Sequence, residues 1–304
     1  MIDGIPGPTS HSYISQRLRL HYVDWGNENA PPLLLIHGGR DHCRNWDWIA
    51  EALREEYHVI APDLRGHGDS QWMIGGSYSI SEFVYDIAQL IHQASLAPLR
   101  IIGHSLGGGI SLRYAGIYPD NVTKLIAIEG LGLPPHRLAE RRERPVSERM
   151  THWIETLRDM SGRLPRRYGT LDEAYQRMHE ANPHLTPDQA RHLTIHGVSQ
   201  NEDGSYGWKF DNYVRAFSPE AVDQDDTKAL WERITCPTLL IRGLESWSSD
   251  PHEDGRAAHF KNATFVNVKN AGHWVHHDQI DLVLDLARNF LANRSRMNET
   301  TAAQ

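Results

Sequence analysis

The stretch Gly103-His104-Ser105-Leu106-Gly107 joins an apolar run, PLRIIGH, to a helix-like run, LGGGISLRYAGIY. A serine hydroxyl is scarcely ionised at neutral pH and becomes a nucleophile only when a base takes its proton during attack. A turn tight enough to present its Oγ strains the backbone and leaves little room for side chains two residues away on either side. Gly103 and Gly107 meet both demands. The helix that follows points unbonded amides, Leu106 first, toward the place where an oxyanion would form. These residue types point to nucleophilic acyl transfer.

Such chemistry needs three further parts. The base is assigned to His273 in NAGHWVHH, where Gly272 lets the loop turn between a strand-like run and the last helix. His276 and His277 beside it read as surface histidines. The carboxylate that fixes the imidazole tautomer has two stations. Glu129 closes the apolar run VTKLIAIE, and burying a carboxylate at a strand end is costly unless it is paired, which favours it. Glu245 in RGLESWSSD is the alternative, with Asp250 behind it. The second oxyanion donor is assigned to the Gly39 amide in His37-Gly38-Gly39, with Arg40 as alternative. Residues without side chains let backbone N–H groups approach a substrate carbonyl.

Around these residues the chain alternates between two periodicities. Strands are predicted over 17–26, 31–39, 57–64, 98–105, 122–130, 236–243 and 263–270. Helices are predicted over 45–56, near 253–259, after Ser105 and in DQIDLVLDLARNFLAN. A further helix, SISEFVYDIAQLIHQ, has Ser79 or Ser81 as N-cap and puts Phe83, Ile87, Leu90 and Ile91 on one face. Such alternation implies a mainly parallel sheet with helices on both faces. From 131 to 226 there is no strand signal, only amphipathic helices such as SERMTHWIETLRDM parted by prolines. The expected organisation is a core of 1–130 and 227–304 interrupted by a helical cap, 131–226. The tail RSRMNETTAAQ reads as a frayed end.

Composition narrows the partners. Among 304 residues, 31 Lys plus Arg against 39 Asp plus Glu leave a net charge of −8, with nothing to attract nucleic acid or an anionic membrane. No apolar run approaches the ~20 residues that span a bilayer, and the N-terminus lacks the basic and apolar regions of a signal peptide. A cytoplasmic location and a small organic substrate are expected. Cys43 and Cys236 are the two cysteines, too far apart and too few for a disulfide framework or a patterned thiolate site. The 19 histidines include no metalloprotease-type His-x-x-x-His with its Glu. Neither metal nor cofactor is expected.

The segments HGG, DLRGHGDS, GHSLGG and GHW, in that order and with an insertion before the last two strands, resemble the α/β-hydrolase superfamily over 17–130 and 234–293. IEGLGLPP and YGWKFDNYVRAF are similar to its serine-hydrolase-like esterases. The resemblance implies a mostly parallel eight-stranded sheet, an inserted cap, the order serine, acid, histidine, and cofactor-independent hydrolysis of small to medium carboxylic esters. Haloalkane dehalogenases place their acid where Glu129 stands and carry a tryptophan like Trp46. They and epoxide hydrolases use an aspartate at the place of Ser105, which argues against alkyl-enzyme chemistry here. Most superfamily members have aspartate where this chain has Ser246, a departure that favours Glu129 and keeps Glu245 in reserve. The resemblance gives DLRGHGDS a structural role beneath the site, with His67 as a second base the lesser option. Alternatives with the same triad are lactone opening and carbon–carbon bond hydrolysis, the latter weakened by His104 where meta-cleavage hydrolases have asparagine. A ligand receptor on a hydrolase scaffold is the alternative from another class. Of the cap aromatics, Trp153, Tyr175, Trp208 and Phe210, most are expected in packing rather than in an acyl pocket.

Overall fold

A computed structural model describes residues 7–75, 78–161, 165–216 and 223–292. The chain opens with β1 (Thr9–Ser15), β2 (Leu18–Asp24) and β3 (Pro32–Ile36). A 3-10 turn at Cys43–Trp46 then runs into α1 (Asp47–Leu53), followed by β4 (His58–Pro62) and α2 (Ile80–Gln93). After these come β5 (Leu99–His104), α3 (Leu106–Ile117) and β6 (Val122–Ile128). The next stretch holds α4 (Pro135–Glu143), α5 (Val146–Ser161), β7 (Arg167–Tyr168), α6 (Leu171–Ala181), α7 (Pro187–Gly197), β8 (Val198–Gln200) and β9 (Tyr206–Trp208). The chain closes with α8 (Gln224–Glu232), β10 (Thr238–Gly243), β11 (Ala263–Val268), α9 (Val275–Asp278) and α10 (Ile280–Leu291).

Eight strands form one sheet in the order β1-β2-β4-β3-β5-β6-β10-β11. The pairs from β4 to β11 are parallel, whereas β1 with β2 and β2 with β4 are antiparallel. The central strands β3, β5 and β6 are built around the apolar runs LLLI, II and LIAI because both faces are covered. Alternate residues feed two cores. Leu34, Ile36, Ile101 and Leu125 pack with Ile87 and Leu90 of α2 and Ile110 of α3. Leu33, Leu35, Ile102 and Ile126 pack with Ile49 and Leu53 of α1 and Val283 and Ala287 of α10. Ser79 is the N-cap of α2, in a capping box with Glu82.

Several expectations need correction. The edge strand β1, TSHSYIS, is polar enough to escape a search for apolar alternation. The predicted helix near 253–259 is only a 3-10 turn at Arg256–His259. The stretch expected to be wholly helical contains a second sheet, antiparallel and ordered β7-β9-β8. Its strands are two or three residues long, too short to show a period, and hold together through Tyr168, Val198 and Ala174. The tail expected to fray lies outside the described residues. No helix among the described residues is long and apolar enough to cross a membrane.

DLRGHGDS binds the loop after β4 to its surroundings. Asp63 accepts hydrogen bonds from the Cys43 amide at 2.7 Å, the Asp69 amide at 2.9 Å and His21 Nδ1 at 2.7 Å. Gly68 has φ +54°, and a Cβ there would fall 2.1 Å from the Asp63 carboxyl. Buried Arg65 donates from Nε to Asp86 Oδ2 at 2.5 Å and from Nη2 to Oδ1 at 2.7 Å, with Glu82 at 3.1 Å. Ser15 adds a hydroxyl to the same carboxylate. Removing one member of a buried ion pair strands the other charge, at a cost of about 3–5 kcal/mol. Arg65→Ala is therefore expected to lower the unfolding free energy in urea by about that much, with part regained on adding Asp86→Asn. A loss below about 1 kcal/mol, the ceiling for most exposed pairs, would contradict this account.

Candidate active site

Ser105 lies between β5 and α3 with φ 51° and ψ −113°. A positive φ is strained for a residue with a side chain. The surroundings impose it: the Ser105 amide donates to the Ile128 carbonyl at 2.8 Å. A Cβ on Gly103 would lie 2.5 Å from the Gly107 carbonyl oxygen, and one on Gly107 only 2.2 Å from that of Ile36. The serine turn is thus pressed against the end of β3.

His273 stands in the loop between β11 and α9. Its Nε2 is 2.8 Å from Ser105 Oγ, and its Nδ1 is 3.2 Å from Glu129 Oε2. The serine hydroxyl donates to Nε2 while Nδ1–H donates to the carboxylate, which defines one imidazole tautomer. Glu129 follows β6 with φ 54° and has no exposed side-chain surface. Its Oε1 accepts from the Gly243 amide at 2.8 Å and Ser248 Oγ at 3.1 Å. Ser246 Oγ donates to Oε2 at 2.8 Å. Together with His273 these four donors satisfy the buried carboxylate. The other acids are elsewhere: Glu245 is exposed and 4.0 Å from His184, and Asp250 binds Arg242 and Asn267.

The HGG loop abuts the serine turn. A Cβ on Gly38 would lie 2.8 Å from His104 Nδ1 and 3.3 Å from Ser105 Cβ, and one on Gly39 would lie 3.9 Å from the Leu106 side chain. Among the described residues no hydrogen bond engages the Gly39 amide. Leu106, at the first helical position, has no carbonyl one turn back in the helix to receive its amide. Arg40 follows in the left-handed region, with φ 62°. Backbone donors and the serine therefore share one rim of the sheet.

Sequence reasoning missed three supporting residues. His104 donates from Nε2 to the His273 carbonyl at 2.8 Å, holding the backbone of the residue whose ring meets Ser105. Ser246 and Ser248 are the others, and their signal was the three hydroxyls in ESWSS after β10, of which these two reach Glu129. His67 bonds the Arg65 carbonyl and faces His37 and Phe83, outside the Ser105 group. Tyr175 and Trp208 pack in the small apolar clusters of the stretch between β6 and β10.

The chain matches the α/β hydrolase fold family over residues 31–279 and belongs to it. An esterase of Mycobacterium tuberculosis is 27% identical over 295 residues, covering 96% of this chain and 92% of the relative. The 3-hydroxybutyrate-oligomer hydrolase of Cupriavidus necator is 30% identical over 244 residues, covering 75% of this chain and 77% of the relative. The solved structure of E-2-(acetamidomethylene)succinate hydrolase superposes with a TM-score of 0.77 at 21% identity, covering 94% of this chain and 99% of that one, a likeness of fold. Family membership and relatives of this kind make the chain a hydrolase.

Behind the site lies a set of buried histidines, and here the reading of His276 and His277 as surface residues is overturned. The turn of α9 carries both inward, where His276 stacks on Trp46 at 4.7 Å and His277 meets Trp48 edge-on at 5.6 Å. Burial lowers His37 and His277 to about 3 and His67 to about 4, and holds His104 and His276 well below the usual value of 6.5. Unfolded, these rings take up protons near pH 6.5; folded, they resist until far lower pH. Their contribution to stability is complete above pH 6.5 and is lost as pH falls toward 3, by up to about 1.4 kcal/mol per pH unit for each ring. The urea midpoint is expected to drop steeply from pH 7 to pH 5, and less so in His277→Gln. A midpoint unchanged across that range would refute the assignment of neutral buried rings.

Proposed function

We propose that this protein is a serine hydrolase that cleaves carboxylic esters of small to medium size through an acyl-enzyme on Ser105. The observation that carries the reading is the contact chain from Ser105 Oγ to His273 Nε2 at 2.8 Å and from His273 Nδ1 to Glu129 at 3.2 Å. In the proposed reaction the Ser105 oxygen attacks the ester carbonyl as its proton passes to His273. Glu129 stabilises the resulting imidazolium and keeps the ring oriented. The Leu106 and Gly39 amides, with the Arg40 amide as the alternative second donor, receive the oxyanion, and losing one such donor costs about 3–4 kcal/mol of transition-state stabilisation. His273 then returns the proton to the departing alkoxide, and water, deprotonated by the same ring, releases the acid.

Residues 131–226 act in this reading as a cap over the rim. Contacts from α7 support it: His42 Nε2–H donates to the Leu193 carbonyl at 3.0 Å, and Gln189 donates to the His277 carbonyl at 3.1 Å. The names of the two sequence relatives, an esterase and an oligomer hydrolase, support ester bonds as the target.

Short nitrophenyl esters are expected to be hydrolysed, with the activity lost in Ser105→Ala. Glu129→Gln is expected to lose about 10⁴ in kcat, on the scale of the aspartate in a serine-protease triad, while Glu245→Gln stays near wild type. Equal mild losses in the two variants would defeat the choice of acid. Adding Ser246→Asp to Glu129→Gln is expected to recover part of the rate, since the Ser246 hydroxyl already touches the Glu129 carboxylate. Lactones outrunning every ester would reassign the bond cleaved, and no turnover with a ligand-raised melting temperature would mean a receptor.

A further inference from the structure

Outside the Ser105 group three metal-ligating side chains converge from separate segments. His21 comes from β2, Cys43 from the 3-10 turn before α1 and Asp63 from the loop after β4. A ring nitrogen of His21, Cys43 Sγ and an Asp63 carboxylate oxygen all lie within 4.8 Å of one another. Zinc-class ions take this nitrogen, sulfur and oxygen set tetrahedrally, with bonds of about 2.0–2.3 Å and hence ligand separations of about 3.4–3.6 Å. The His21–Asp63 pair, now a hydrogen bond of 2.7 Å, has to open by roughly 0.7 Å to reach that geometry.

We propose that His21, Cys43 and Asp63 bind one zinc-class divalent ion, with water from the adjoining cavity as the fourth ligand. His21 and Asp63 already have the outer hydrogen bonds that orient metal ligands. His21 Nε2 is 2.6 Å from Ser10 Oγ, so shifting the ring proton from Nδ1 to Nε2 lets the ring donate to Ser10 while Nδ1 faces the ion. Asp63 keeps its bonds from the Cys43 and Asp69 amides, at 2.7 and 2.9 Å, and ligates through a remaining lone pair. The ion displaces the thiol proton, which leaves to solvent, and nothing is oxidised or reduced.

A cavity lined by His21, Cys43 and Asp63 gives the ion its way in. Arg44 and Lys209 also line it, and each is already paired, with Asp47 at 2.6 Å and Asp69 at 2.8 Å. Buried His42 borders the same cavity. Its Nε2–H is engaged with Leu193, and its Nδ1 has no partner among the described residues.

Co²⁺ titrated into the 304-residue chain is the test, because its spectrum reports both sulfur ligation and coordination number. One equivalent is expected to give a thiolate-to-cobalt band in the near ultraviolet and the strong visible bands of four-coordination. Cys43→Ser is expected to abolish the sulfur band, and His21→Gln to weaken binding at least about 10-fold. His21 lines the cavity with a partly exposed side chain, so its variant serves if Cys43→Ser does not fold. A second group, Asp47, His192 and His196, lies nearby, and His192→Ala with His196→Ala is expected to leave the spectrum unchanged. No sulfur band, binding indifferent to His21→Gln, or binding lost only with the His192/His196 pair would each overturn the proposal.

Discussion

Everything at this rim depends on how closely backbone meets backbone at the end of β5. Ser105 keeps a positive φ because the Ile128 carbonyl fixes its amide and because the helix after it packs against Ile36 with no side chain between. The strain is local and the sheet that sustains it is extended. Eight strands, buried on both faces in the centre, hold the segments on either side of the turn in place through two packed cores.

Placing the acid on β6 has its own structural consequences. A carboxylate with no exposed surface is tolerable only if donors meet it, and here they come from the loop after β10: the Gly243 amide and the hydroxyls of Ser246 and Ser248. The position where the superfamily usually has its aspartate has become a donor to a carboxylate from the neighbouring strand. Glu129 itself adopts a positive φ, 54°, so both ends of the proposed relay begin at unusual backbone angles.

His104 links the serine turn to the loop of His273 through that residue's carbonyl, and its ring is 4.5 Å from that of His276. His276 in turn bonds Asn45, which donates to Asp41, a carboxyl that burial pushes up to about 8. The wall behind the site is therefore built from neutral polar groups holding one another. Such networks give order through geometry rather than charge.

Much of this could be read from the chain itself. The apolar runs of β3, β5 and β6 and the periodic face of α2 are set by neighbours in sequence, so the parallel core was readable, as were Ser105 between its glycines and His273 beside Gly272. β1 and the short strands β7 to β9 were not, since two or three residues or a polar edge carry no period. His276 and His277 were misread because the direction a short helix faces depends on what it packs against. By itself the sequence determined which residues could do chemistry and the order of elements carrying them. Only the tertiary structure decided that Glu129 rather than Glu245 meets His273, and that Cys43, His21 and Asp63 share one cavity. Contacts between residues far apart in the chain depend on strand register and loop paths, which no local pattern encodes.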